Sequence, residues 1–274
     1  MKSQDMQVIG ICRFSYPAIG GFQVGHDSLE ERHEFLFSPQ RIEERFRSFE
    51  TIALPAFRNQ TDPNFRLLIV IGETMPEVHI ERLLDLIEDL PQAVLVPWPS
   101  QKHRPAMQRI MHAYKEESDL PSIQFRHDDD DAVAVNFVES LREAVDDCAP
   151  IIKKNAMMSI DFNRGYSVQP SSEGLRVTPS ILQSYGVALS MVAWPSARKT
   201  IMNFSHHKLD HAMPAISFTD KEMFLRGHGD FNDSRQKSNV KNLDFQLLDK
   251  EGESLFKELF AIDSDRLREV YSGA

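Results

Sequence analysis

Apolar residues fall in short unbroken runs separated by stripes of helical spacing, and the alternation is regular through the first half of the chain. Gln7 to Phe14 is apolar enough for a buried strand, and Ser38-Pro39 then opens a helix with Ile42, Phe46 and Phe49 on one face. Arg66 to Ile71 is a second buried strand. Thr74-Met75-Pro76-Glu77 reads as a capping box, with Thr74 accepting a first-turn N–H and Glu77 reaching back. The helix it predicts carries Ile80, Leu83, Leu84 and Ile87 at i, i+3, i+4 and i+7. Ala93 to Val96 is a third strand, closed by Pro97 and Pro99, and Met107, Ile110, Met111 and Tyr114 stripe the next helix. Ile123 to Arg126 is the fourth strand, after which a helix buries Phe137, Leu141, Ala144 and Val145. Strand and helix alternating in this way predict an α/β fold with a mostly parallel, doubly wound sheet, whose ligands lie at the carboxyl ends of the strands.

The second half has a different texture. Ala156 to Asp161, Tyr166 to Gln169 and Leu175 to Thr178 are separated by Asn163-Arg164-Gly165 and Ser171-Ser172-Glu173-Gly174, a pattern of antiparallel hairpins. Tyr185 to Trp194 is a longer apolar run. Ala197 to His211 is read as a helix with His206, His207, Asp210 and His211 near its end, and Ala215 to Phe218 as a strand. A glycine-rich loop runs from Arg226 to Arg235, and Leu255, Leu259 and Ile262 form a docking stripe in the tail. Cys148-Ala149-Pro150 is the expected seam, which divides the chain into a doubly wound half, 1–150, and a mixed half, 151–274, of one continuous domain.

Composition narrows the class. A chain of 274 residues, 41% hydrophobic, supports one large α/β domain. It has no apolar run long enough to span a bilayer and no apolar leader after Met1-Lys2-Ser3-Gln4-Asp5, which predicts a cytoplasmic protein with Cys12 and Cys148 as free thiols. Peripheral membrane contact stays open. A net charge of −10 argues against a nucleic-acid binder, because counterion release needs a basic surface. A local basic pocket for one nucleotide remains compatible with it.

The chemistry concentrates where the fourth strand ends, in Arg126-His127-Asp128-Asp129-Asp130-Asp131. Four adjacent negative charges repel one another, and at the mouth of a buried strand a hard cation with its phosphate ligands is a natural partner. Two enzyme classes use such a cluster: glycosyltransferases, and metal-dependent phosphoesterases or nucleotidyltransferases in which His207 or His211 joins the carboxylates around two ions. A non-enzymatic cation-binding protein is a third reading.

A Rossmann-like half that ends its fourth strand in an acidic triplet, followed by a mixed half, resembles the GT-A-type glycosyltransferases and their DxD motif. More narrowly, the chain resembles a bacterial family of rhamnosyltransferases, through Arg13-Phe14-Ser15, Leu54 to Arg66, Arg126 to Ala132, and His228 to Ser234. The resemblance implies a metal-dependent transfer of a sugar from a nucleotide diphosphate donor to a carbohydrate or glycolipid acceptor, in bacterial polysaccharide or glycoconjugate synthesis. It assigns Asp128 and Asp130 to the DxD carboxylates, with Asp130 on Mn²⁺ or Mg²⁺, Asp128 on the ion or the donor, and Asp131 in support. Arg13, Glu73 and Arg104 take positions around the nucleotide. His228 matches the C-terminal histidine that completes the metal shell in many such enzymes, and Asn232, Ser234 and Arg235 would grip the phosphates. Asp210 stands near the position of the acceptor base, with His207 and Glu222 next in line. The Glu-Asp pair familiar at that position is missing, so the base and the stereochemistry stay open.

Overall fold

The structure, a computed structural model, describes residues 2–19, 28–229 and 243–273. Strands Val8–Arg13 (β1), Arg66–Gly72 (β2), Ala93–Trp98 (β3) and Ser122–Asp128 (β4) pair in parallel in the order β3-β2-β1-β4. A parallel strand covered on both faces needs apolar residues at every position, and β2 is buried from Leu67 to Gly72. Beyond Leu29–Leu36 (α1), one sheet face is covered by Pro39–Ser48 (α2), a π-turn at Phe49–Ala53, Leu54–Arg58 (α3) and Glu77–Ile87 (α4). The other face is covered by His103–Tyr114 (α5). Phe125 of β4 lies across Gly10 of β1, where a Cβ would stand 2.1 Å from its ring, so glycine at this position sets how closely the two strands pack.

After β4 come the short Ala132–Val133 (β5), Phe137–Asp147 (α6) and Ala149–Ile152 (α7). Met157–Phe162 (β6), Leu189–Ala193 (β9) and Ala215–Phe218 (β10) extend the first sheet to β10-β6-β9-β4-β1-β2-β3, with β9 antiparallel to both neighbours. Arg164–Ser171 (β7), Gly174–Ile181 (β8), Phe224–Gly227 (β11) and Gln246–Leu247 (β12) form a second sheet, β12-β8-β7-β11-β5. Lys250–Phe260 (α8) and Ser264–Ser272 (α9) close the chain. The expected seam is the turn between α6 and α7, and strands from both sides of it share the larger sheet. Arg142 of α6, 2% exposed, donates to Asp62 (2.6 Å), to the carbonyls of Asn64 (2.8 Å) and Met6 (3.0 Å) and to that of Ser3, fastening α6 to the N-terminus and to the approach to β2.

Four local expectations are corrected. The Thr74 capping box does not form: α4 begins at Glu77 behind an extended Pro76, and Thr74 Oγ1 meets His33 Nε2 at 3.2 Å. Proline drives the preceding residue out of the helical region, so the helix cannot start before it. Ala197 to His211 is not one helix but separate 3₁₀ turns at Ile201–Asn203 and His206–Lys208, because Arg198 is left-handed (φ 49°) and Thr200 caps a turn of its own through Asn203. Of the expected hairpins only β7–β8 forms. β6 is buried along both faces from Met158 to Phe162 and joins the large sheet instead. Of the expected docking stripe, Ile262 is buried and Leu259 packs against the core, but Leu255 is 43% exposed, and Phe256 and Phe260 supply the largest buried area of α8. Cys12 and Cys148 are buried free thiols, and no helix among the described residues is long and apolar enough to cross a membrane.

Candidate active site

The chain leaves β1 toward β2 and β3 on one side and returns to add β4 on the other, so the carboxyl ends of β1 and β4 flank the point where strand order reverses, the usual crevice for ligands in such sheets. Parallel register pairs Ile11 with Arg126, Cys12 with His127 and Arg13 with Asp128. Alternation along the strand sends Arg126 and Asp128 to the face that carries α5. It sends His127 to the opposite face, where its ring stands edge-on to Phe57 of α3 at 4.8 Å and Nε2 bonds the Asp131 carbonyl at 3.0 Å. Burial pushes the His127 pKa down to about 4, so this histidine is a neutral packing residue.

The four carboxylates are offset by arginines from three different elements. Arg13 Nη2 meets Asp128 Oδ1 at 2.6 Å, and Arg226 Nη1 of β11 lies 3.7 Å from Asp128 Oδ2 and 3.0 Å from Asp131 Oδ2. Arg45 of α2 forks onto Asp129, with Nε to Oδ2 at 3.1 Å and a second contact from Nη2, and reaches Asp130 at 3.2 Å. The Gly227 N–H donates to Asp131 Oδ1 at 3.0 Å. Burial works against the Asp128 charge, but Arg13, Arg226 and Arg126 together outweigh it and hold the carboxyl well below its ordinary range. Burial pushes Asp131 upward against the pull of Arg226, while Asp131 holds the Arg226 guanidinium charged above its usual range. Close approach fixes this junction: a Cβ on Gly227 would stand 2.3 Å from the Asp130 carbonyl oxygen.

The remaining expected residues divide. His228 shares a pocket with Asp130, Glu44, Arg45 and Gly227. Its N–H bonds the Val168 carbonyl at 2.8 Å, its buried Nε2 has no partner among the described residues, and burial followed by Arg226 lowers its pKa. Glu73 is exposed in the turn after β2. Arg104, exposed near the start of α5, adds positive charge to the surroundings of Arg126. Asp210 is exposed beside His211, 3.9 Å away, and Glu222 pairs with Arg164 at 3.0 Å. The zinc reading of the histidine cluster fails among the described residues: His207, Asp210 and His211 are exposed and gather no metal shell. Asn232, Ser234 and Arg235 lie outside the described residues.

Nor does the acidic run fit a divalent ion in this arrangement. A hard cation needs carboxylate oxygens free of competing cations, whereas each of the four carboxylates already faces a guanidinium. Asp130 and His228 line a pocket that Asp128 does not, and among the described residues no three His, Cys, Asp or Glu side chains converge as a metal site.

Several residues had no role in the sequence reading. Arg45, Arg126 and Arg226 surround the acidic run. Arg126 and Arg226 were visible as basic neighbours of quoted motifs, but nothing along the chain marks Arg45 as reaching over from another helix. Asp161 of β6 is buried; its Oδ2 accepts from the Ser184 N–H (2.8 Å) and the Ser217 hydroxyl (3.2 Å), and its Oδ1 has no partner among the described residues. It anchors a loop with three left-handed residues, Ser184 (φ 53°), Gly186 (φ 106°) and Ala188 (φ 52°), beside the crevice. Backbone strain of this kind collects at functional sites.

Burial raises the Asp161 pKa above its ordinary 3.8. A carboxyl with a raised folded-state pKa holds its proton more tightly when folded, so stability falls as pH climbs from the unfolded value through the folded one. Asp161→Asn is therefore expected to stabilise the protein by on the order of 1 kcal/mol near pH ~8 and to be neutral near pH ~3.5. Thermal melts at the two pH values check this, and an offset that does not vary with pH would refute it.

The profile of the family described as "Putative rhamnosyl transferase" matches residues 7–241. No curated protein matches the chain. Among solved structures, a crystal structure of S. aureus TarS shares 10% identity at TM-score 0.43, covering 81% of this chain and 37% of TarS. Its fragment 1–349 shares 11% identity at TM-score 0.40, covering 81% and 60%. The same fragment in complex with UDP-GlcNAc shares 11% identity at TM-score 0.39, covering 83% and 60%. The chain thus spans well under two thirds of the length of TarS.

Proposed function

Given that the chain belongs to this rhamnosyl transferase family, and is thereby a glycosyltransferase, we propose that it moves a sugar from a nucleotide diphosphate donor, seated at the carboxyl ends of β1 and β4, to a carbohydrate or glycolipid acceptor in bacterial glycoconjugate synthesis. The observation that carries this reading is the coincidence of the strand-order reversal with the cluster of Arg13, Arg126 and Asp128. In the transfer, an acceptor hydroxyl oxygen bonds to the anomeric carbon and gives its proton to a base or to the leaving diphosphate, the bond from that carbon to the diphosphate oxygen breaks, and the diphosphate leaves with the electron pair. Negative charge grows on the leaving group, and preoriented guanidiniums in a crevice of low dielectric stabilise it without reorganising. The strained loop 182–188, tied down by Asp161 and by the His206 Nδ1 contact to the Ser184 carbonyl at 2.9 Å, forms a wall of the same crevice.

The test is a panel of nucleotide sugars incubated with the intact protein, with free nucleoside diphosphate and glycoside read by mass spectrometry. We expect one donor to be hydrolysed or transferred, and its nucleoside diphosphate to raise the melting temperature. A panel that yields neither would overturn the proposal.

A further inference from the structure

Three guanidiniums, Arg13, Arg126 and Arg226, face two carboxylates, Asp128 and Asp131, around the strand-order reversal. Arg13 and Arg226 are committed to those carboxylates. The Arg126 guanidinium makes no hydrogen bond or ion pair with any described residue. It stands beside the loop at Gly186, with Nη2 3.5 Å from where a Cβ would be, next to His206. Burial first, and then the like charges of Arg13, Arg226 and Arg104 against the pull of Asp128, bring its pKa down to about 10. A half-buried cation among cations is an unfavourable arrangement unless an anion completes it. The first turn of α5 lies close enough for His103 to sense Arg13, Asp128 and Arg126, and that turn has no acidic residue and no side-chain cap. Its N–H groups add positive potential to the same space. The acidic run, by contrast, has its charge offset from within.

We infer that the donor diphosphate is bound directly by Arg126, with Arg13 as second partner, and that no divalent ion stands between protein and phosphate. This rests on the reading that the crevice takes a nucleotide diphosphate donor. On phosphate binding, Arg13 is shared between Asp128 and the anion, Arg226 stays on Asp131, and Arg126 gains the charged partner that no described residue supplies. Guanidiniums suit this task because their planar forks match phosphate oxygens two at a time.

The probes are inorganic pyrophosphate, UDP, GDP and dTDP, titrated calorimetrically into the intact protein in excess EDTA and again with Mn²⁺. We expect pyrophosphate and at least one nucleotide to bind in EDTA, with affinity little changed by Mn²⁺. Arg126→Gln should weaken binding by about tenfold or more, the loss expected of one charge-assisted contact, and Arg126→Lys should restore part of it. Without ligand, Arg126→Gln should melt no lower than wild type, since it removes a cation that has no ion pair among the described residues; that separates lost binding from lost folding. Binding that vanishes in EDTA, or that ignores Arg126→Gln, overturns the inference. If pyrophosphate binds as expected while no nucleotide sugar reacts, the anion site stands and the transferase reading falls. If sugar transfer needs Mn²⁺ and Arg126→Gln transfers at the wild-type rate, the anion site falls and the transferase reading stands.

Discussion

Arg142→Met is expected to destabilise the protein by about 3–5 kcal/mol, the usual loss when one partner of a buried ion pair is removed. The arginine is 2% exposed and fans over Asp62 and the carbonyls of Ser3, Met6 and Asn64. Methionine keeps most of the apolar stem, so the loss comes from stranded acceptors and not from a cavity. These acceptors sit before β1 and between α3 and β2, while the arginine itself sits on α6, so the substitution loosens three segments at once. Lysine in the same position keeps the charge but cannot span the fork, and should recover only part of the loss. Denaturant unfolding checks this: a midpoint within experimental error of wild type for Arg142→Met would show that water replaces the fork without cost.

Arg226→Met should cost on the order of 3 kcal/mol at neutral pH, by the same logic applied at the site. It leaves Asp131, 1% exposed, held by the Gly227 N–H. Burial already pushes Asp131 upward, and losing the guanidinium pushes it further. Because the raised folded-state value makes ionisation costly, the deficit should be full above that pKa and shrink as pH falls toward the unfolded carboxylate range. Adding Asp131→Asn to Arg226→Met should recover part of the loss at neutral pH, since a neutral amide no longer needs the cation. Melts of the single and double variants across pH decide it; a double variant less stable than Arg226→Met alone would count against an unpaired Asp131 charge as the cause. The contrast with Arg126 is informative. Two arginines at one crevice are expected to differ in kind, one holding the acidic run in shape and the other available to a ligand.

Much of the architecture was legible along the chain because it depends on local periodicity. Unbroken apolar runs such as Leu67 to Ile71 fit only a strand covered on both faces, and the stripes of α5 and α6 bury the residues their spacing marks. That alternation also placed the acidic run at the end of the fourth strand, which the structure sets beside β1. Local rules failed where tertiary contacts override them: Thr74 turns to His33, the 200–211 segment breaks into short turns over the sheet, and β6 leaves its sequence neighbour β7 for β9.

By itself, then, the sequence determined the parallel α/β core and the position of four carboxylates at a strand end, since hydrophobic spacing and the succession of elements along the chain are properties of neighbouring residues. What offsets those carboxylates was decided only in three dimensions. Arg45 arrives from 84 positions upstream of Asp129, and Arg226 from 95 positions downstream of Asp131. A charge's energy depends on its distance in space to its partner and on burial, neither of which is written in linear order.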